Sequence, residues 1–437
     1  MATPRLPTPP NPVPVPRAAG GEDSAIPAEI GGDAAASLAS LLECVGAWLA
    51  RPVEGRGLGY HPAAERVTPD AVPELLLTTE ALLRLVMEDC PDSDTAEAVG
   101  LGCFQIAEWA EERGALATAL AWAQAAIGAW PQQPHYAYLI GRLARKRAQN
   151  AGAEEWLRYA MRLARRRMAW EVYALSLSGY ANLKRQKGNI PAATCYHRLA
   201  LKASRRHGLR TLEGDALYDL AVMSFERGDA RSALAYGRLA IGAYGPGHAR
   251  IYRLANDLAW YLMCHSGENE QAAYVFQALI PHVWEPVYRL LANANLARAA
   301  AGAGWGDVFE RAWVNTWVLL GTPGSEEGHS SALLQLAHAA VCAEAWERAR
   351  MAAERALAIA IRREEHKMVA LVEDVLATIV QTVAADEVYS GREAGCCGGS
   401  DALSREADLV AGELVKAMRI RNDGAPESPL ITQLTGR

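Results

Sequence analysis

Residues 216–241, ALYDLAVMSFERGDARSALAYGRLAI, decide the fold. A helix-breaking Gly stands at 228, an Ala follows five residues later at 233, and a second Ala stands seven further on at 240. The same triplet recurs along the chain as Gly114–Ala119–Ala126, Ala148–Ala153–Ala160, Gly188–Ala193–Ala200 and Gly267–Ala272–Leu279. Successive breaks lie 34, 40, 40 and 39 residues apart. A fixed period of this length is the mark of stacked helical hairpins. Small residues on one helix face let the next hairpin approach closely, and Gly takes a left-handed turn at little cost. The expected fold is therefore all-α, a right-handed superhelical solenoid of antiparallel hairpins.

The composition agrees. Of 437 residues, 51% are hydrophobic, with Ala dominant and four Phe, while 12 Trp and 15 Tyr supply bulk. Ala is the strongest helix former. Val and Ile form no alternating runs, so strands are not expected. No apolar run is read as long enough to span a bilayer, and the N-terminus shows no secretory pattern. Eight Cys are scattered without a CxxC or a Cys/His zinc spacing. Together these features point to a reducing cytoplasm with free thiols.

The net charge of −6 conceals a segregation. Residues 141–210 carry 17 Lys and Arg against three acids, a surplus of 14 positive charges, so the remainder carries −20. Such segregation bears on partners and not on the fold.

Along the chain, residues 1–34 are Pro-rich and read as a disordered or polyproline II arm. Residues 35–93 hold N-terminal helices. Five clear hairpins, a degenerate sixth and a seventh, closed by a capping helix, occupy 94–385. Residues 386–437 read as a mobile tail with one short amphipathic helix at about 402–420.

The pattern resembles the tetratricopeptide repeat (TPR), most closely over residues 97–131 and 216–241. In the second of these, Leu217, Leu220 and Ala221 stand on the first helix, Gly228-Asp229 at the turn, and Ala233, Tyr236 and Ala240 on the second helix. The 40-residue spacing looks like that of bacterial regulatory proteins, and the extra residues are expected between hairpins, at 165–169 and 207–212. The resemblance implies that first helices line a concave groove. By phase, that groove holds Phe104, Glu108, His135, Tyr138, Arg142, Arg145, Ser178, Asn182, Arg185, Asp215, Tyr218, Val222 and Phe225. The family's carboxylate clamp is not carried over: Asn182 stands at a clamp-like place, but Gly179 and Asp219 fall where the next ligands belong. No helix-turn-helix precedes the repeats, so a DNA-reading role is not carried over either.

Within the groove, His135, Tyr138, Arg142, Arg145, Asn182 and Arg185 recur at three- or four-residue intervals on successive first helices. They are expected to form an electropositive patch for an acidic peptide, with Arg forming forked bonds to carboxylates. Arg165, Arg166 and Arg167, with Arg205 and Arg206, form a second candidate, a basic ridge. Cations in a last helical turn are equally accounted for by the helix dipole. Aromatic residues such as Tyr138, Tyr218, Phe225 and Tyr261 are either peptide contacts or ordinary core. Cys396-Cys397 and the His248, His265, His282 series are weak metal candidates. No phosphate loop, dinucleotide fingerprint, HExxH or nucleophile elbow occurs, and no cofactor is implied. The leading reading is thus a non-catalytic scaffold or adaptor for a protein or peptide partner, or for a segment of the chain itself. A signalling regulator without its own DNA-binding domain, an RNA binder using residues 141–210, and self-association stand beside it.

Overall fold

In a computed structural model, residues 8–14, 29–51, 58–88, 93–386 and 401–419 are described. Each break read from the sequence is a residue in the left-handed conformation: Gly114 (φ 75°), Ala148 (57°), Gly188 (74°), Gly228 (75°) and Gly267 (71°). At the first four, the next residue donates its N–H to the carbonyl five positions back. These bonds are Ala115 to Ala110, Gln149 to Ala144, Asn189 to Lys184 and Asp229 to Ser224, each 2.9 Å. This Schellman arrangement satisfies carbonyls that a helix end would leave open, and it reverses the chain within three residues. At Gly267 the ring widens by one residue, Glu268 donating to Leu262 (3.0 Å), because the preceding residues Leu262–Ser266 form a π turn.

The same joint connects one hairpin to the next. Met168 (φ 54°), Gly208 (68°) and Glu364 (58°) are left-handed, and Ala169, Leu209 and Glu365 donate to Ala164, Ser204 and Ala360 at 2.9 Å. The extra residues of the 40-residue spacing therefore do not sit between hairpins, as the sequence reading has it. They lengthen the helices to 17 residues each, leaving three-residue joints throughout.

All regular structure among the described residues is helical. The chain divides into two compact units, the first ending at Ala216 and the second beginning at Leu217. The first contains α1 (Gly32–Ala50), α2 (Leu76–Met87), α3 (Ser93–Glu112), α4 (Leu116–Ala129), α5 (Pro134–Lys146), α6 (Asn150–Arg166), α7 (Trp170–Gln186) and α8 (Ile190–Arg206). Helix α9 (Arg210–Glu226) runs across the division. The second contains α10 (Ala230–Tyr244), α11 (Arg250–Tyr261), α12 (Asn269–Leu279), α13 (Pro286–Gly302), α14 (Gly306–Leu319), α15 (His329–Cys342), α16 (Trp346–Arg362), α17 (His366–Asp386) and α18 (Asp401–Arg419). In the first unit α3–α4, α5–α6 and α7–α8 are antiparallel hairpins. In the second, α11–α12, α13–α14 and α15–α16 pair likewise, and α17 closes the row against α16.

The small residues stand where the spacing places them. Ala119, Ala126, Ala153, Ala160, Ala193, Ala233, Ala240 and Ala272 are all fully buried. At Gly141 a Cβ would lie 2.7 Å from Leu157 Cγ, so α5 and α6 cross at the limit of backbone approach. Gly237 plays this part between α10 and α11, 2.8 Å from Leu258 Cδ1.

Three expectations need correction. Residues 8–14 of the Pro-rich arm lie packed on α4 and α6, with Val13 buried. The tail helix α18 is docked on α10, α11 and α12. Its buried side chains Ala407, Val410, Ala411, Leu414, Val415 and Met418 recur at helical spacing, and Arg238 holds Glu413 at 2.8 Å. Finally, α1 is long and apolar enough to cross a membrane by length and composition, with 19 residues and a mean hydropathy of 1.3. Its Leu38, Leu41, Cys44, Val45 and Trp48 are buried in the core of the first unit, and this packing accounts for its hydropathy.

The joints and the core generate three expectations. Ala233→Trp overpacks a fully buried position and should cost about 1–3 kcal/mol in urea denaturation. Four joints hold a non-glycine residue in the left-handed region: Ala148, Met168, Glu344 and Glu364. Replacing any of them by Gly should stabilise by about 0.5–1 kcal/mol, since relief of strain exceeds the added entropy of the unfolded chain.

The third concerns pH. Burial first, and Arg298 second, push the His338 imidazole down to about 4. The unfolded chain then takes up the proton first. Stability contributed by neutral His338 is complete above its ordinary value of 6.5 and is lost as pH falls towards 4, by up to about 3 kcal/mol. Melting temperature should fall across this window, and less steeply in His338→Asn.

Candidate functional site

The first helices α3 and α5 meet through a run of side chains from the groove expected by phase. On α3 this face carries Phe104, Glu108 and Glu111, and on α5 His135, Tyr138, Arg142 and Lys146. Phe104 and His135 meet edge to face at 5.3 Å, and His135 lies 6.1 Å from Tyr138. The Arg142 guanidinium stands 5.5 Å from the Tyr138 ring centre. Tyr138 in turn lies against Gly179 of α7, where a Cβ would stand 3.4 Å from Tyr138 Cε2. The space beside Gly179, where a next clamp ligand would stand, is thus taken by Leu157, whose Cδ2 would lie 3.1 Å from that Cβ, and by the Tyr138 ring. Along α7, Ser178 and Asn182 are half-buried and Arg185 is exposed.

The electrostatics of this face differ from the electropositive patch expected. Glu111 of α3 is ion-paired to Arg142 and, at 3.0 Å, to Lys146. All three are largely buried, with 9, 29 and 16% of their side chains exposed. Burial opposes the Arg142 charge, but Tyr138 and Glu111 beside it hold it protonated. The single negative charge of Glu111, one repeat earlier, thus offsets half of the positive charge of Arg142 and Lys146. Above this triad, Glu108 is exposed while His135 is half-buried. Desolvation raises the Glu108 carboxyl, against the opposing pull of Arg142, and it lowers the His135 imidazole, to which Arg142 adds.

The other candidates separate from this face. Tyr218 belongs to the second unit and is buried, its hydroxyl donating to Asp257. Burial and Asp257 hold its phenol far above the ordinary range. Next to it Phe225 stacks on Tyr261 at 4.1 Å, so these aromatics bind first helices together and are core. Arg165, Arg166, Arg167, Arg205 and Arg206 are all exposed, at or beside the last turns of α6 and α8. Arg167 donates to Gln132, and Arg205 to Glu213 at 2.9 Å. Their placement suits the helix dipole. Elsewhere in the basic block, Glu154 gathers Lys184, Lys187 and Arg158 at 3.0–3.1 Å. Burial works against its ionisation, but bonds from Lys187, Lys184 and Tyr180 prevail and draw the carboxyl down to about 2.

Cys396 and Cys397 lie outside the described residues, as does the His265 side chain. His248 stacks on Tyr244 and His282 packs on Tyr252. Among the described residues no group of three His, Cys, Asp or Glu is arranged to hold a metal ion.

No family model matches the chain, and no curated protein matches it. Solved structures of similar type include BtubC from P. vanneervenii, 18% identical, covering 51% of this chain and 90% of that one, with a TM-score of 0.39. A Rap protein complexed with competence and sporulation factor is 12% identical, covers 81% and 99%, and has a TM-score of 0.42. The TPR domain of P58(IPK) is 12% identical, covers 74% and 98%, and has a TM-score of 0.24. None of these superpositions is close enough to transfer a residue or an activity. The TPR-like character of the chain stands on its own hairpins and joints.

Glu111→Ala should leave Arg142 and Lys146 buried without a counter-charge and cost about 3 kcal/mol. Replacing the whole triad, Glu111→Leu with Arg142→Met and Lys146→Met, should cost markedly less, as equilibrium denaturation of the two variants would show.

Proposed function

We propose that this protein is a non-catalytic scaffold that takes a peptide segment or partner protein along the face of α3, α5 and α7. The observation that carries the reading is the run of ring contacts from Phe104 through His135 and Tyr138 to Arg142, which joins α3 to α5. Glu108 on α3 is exposed and His135 on α5 is half-buried, half-buried Phe104 lies against His135, and α7 carries half-buried Ser178 and Asn182. A row of aromatic, amide and charged groups fixed on helices suits recognition of an extended polar chain. The cross-helix triad fits the same role, because it fixes the side chains before a partner arrives. The triad of Glu111, Arg142 and Lys146 keeps one positive charge on this face, and Arg145 and Arg185 stand on the same first helices, α5 and α7. The partner favoured is one that brings a carboxylate to this face, and Asn182 and Arg185, about one turn apart on α7, are the polar groups that test it.

The variant Asn182→Ala with Arg185→Glu tests this reading. Both side chains reach solvent, so the melting temperature should stay within a few degrees of the parent. In affinity capture read by mass spectrometry, proteins retained by the parent should be lost or reduced at least about tenfold. Equal capture by parent and variant would show that this face is not the binding surface. Arg142→Glu is unsuitable here, since it places two carboxylates together and unfolds the site it is meant to probe.

A further inference from the structure

The N-terminal arm shows how a second surface recognises a chain. Residues 8–14, Thr-Pro-Pro-Asn-Pro-Val-Pro, run extended over the second helices α4 and α6. The Gln124 side-chain amide takes both backbone groups of Val13: Oε1 accepts its N–H at 2.8 Å, and Nε2 donates to its carbonyl at 3.2 Å. Trp156 Nε1 donates to the Asn11 carbonyl at 3.0 Å, and Gln149 Nε2 to the Pro14 carbonyl at 2.6 Å. Val13 is buried over Gly152, where a Cβ would lie 3.0 Å from Val13 Cγ2. The bare backbone of α6 at this point is what admits the valine.

We propose that Gln124, Gln149, Gly152 and Trp156 form a binding site for an extended Pro-Val-Pro segment. Here the chain's own arm fills it, and a proline-rich segment of a partner polypeptide fills it when the arm withdraws. Four features argue for exchange over permanent packing. Recognition runs through the backbone and one small side chain, so sequences sharing the Pro-Val-Pro core satisfy it. Proline removes unsatisfied N–H groups and fixes the extended form beforehand, so little entropy is lost on binding. Val13 alone of these seven side chains is buried, too small an anchor to make the contact irreversible. Lastly, the arm is tethered close by. Glu29 accepts from Ala117 N at 2.8 Å, from Thr118 N at 2.7 Å and from Thr118 Oγ1 at 2.8 Å, and so caps α4. A tether of this length keeps the arm at an effective concentration in the millimolar range, enough to compete with an outside segment and not enough to exclude it. The site lies on second helices and does not depend on the first-helix face.

The full chain carrying Val13→Asp tests the proposal, because an aspartate cannot seat over Gly152. A fluorescent peptide of residues 8–14 should bind this variant saturably, and the parent at least about tenfold more weakly, since the parent's own arm competes. Adding Gly152→Leu, or Gln124→Ala should the former not fold, should abolish binding. Failure of Val13→Asp to bind the peptide up to millimolar concentration would overturn the proposal. So would equal binding by parent and variant. A concentration-dependent dimer of the parent that Val13→Asp dissolves would also overturn it, by showing that the site serves exchange of arms between two copies.

Discussion

The stack depends on one backbone conformation repeated at a fixed interval. Left-handed residues stand at 148, 168, 188, 208 and 228, and again at 304, 324, 344 and 364, each twenty positions from the last. Between the members of the first series the helices have 17 residues, about 25 Å of rise. Constant helix length and a constant joint return each helix with the same face towards its neighbour. Small residues at one place in every repeat then meet small residues in the next. The chain tolerates non-glycine residues at several joints because the 6→1 hydrogen bond and the packing on both sides hold the conformation there.

The fold was legible for this reason. A left-handed joint needs a residue that breaks a helix, and a close approach needs Ala or Gly. Both requirements leave a mark at single positions that can be read without any partner residue. The joint at Met168 carries no such mark, and the sequence reading places surplus length there, at 165–169, and at 207–212, instead of in the helices.

The site was less legible because its physics is pairwise. Charge was counted over a continuous window, 141–210, while a residue in a repeat protein has its neighbours 30 to 40 positions away. Glu111 lies 31 residues before Arg142 and outside that window, yet it decides the charge of the groove. Tyr218 has the same history: its partner Asp257 is 39 positions on, and the bond between them turns a supposed ligand contact into core. The arm failed for a different reason. Its composition forbids helix and sheet, which is true, but polyproline chain can still be bound. What binds it is two Gln, a Trp and a missing side chain at Gly152, none of them distinctive alone in sequence.

The docked tail helix has a consequence for how the chain is made. Hairpin contacts join residues a few tens of positions apart and can form as soon as a pair of helices has left the ribosome. Helix α18 is different: Ser404 meets Glu268, Asp408 meets Gln271, and Glu413 meets Arg238, across 136, 137 and 175 positions. The outer sides of α10 and α12 therefore stay bare while α13 to α17 are synthesised. At about 5–20 residues per second, that leaves an apolar strip uncovered for roughly 7 to 28 seconds. During that interval it is open to chaperones or to a neighbouring nascent chain, and it closes only when the last helix arrives.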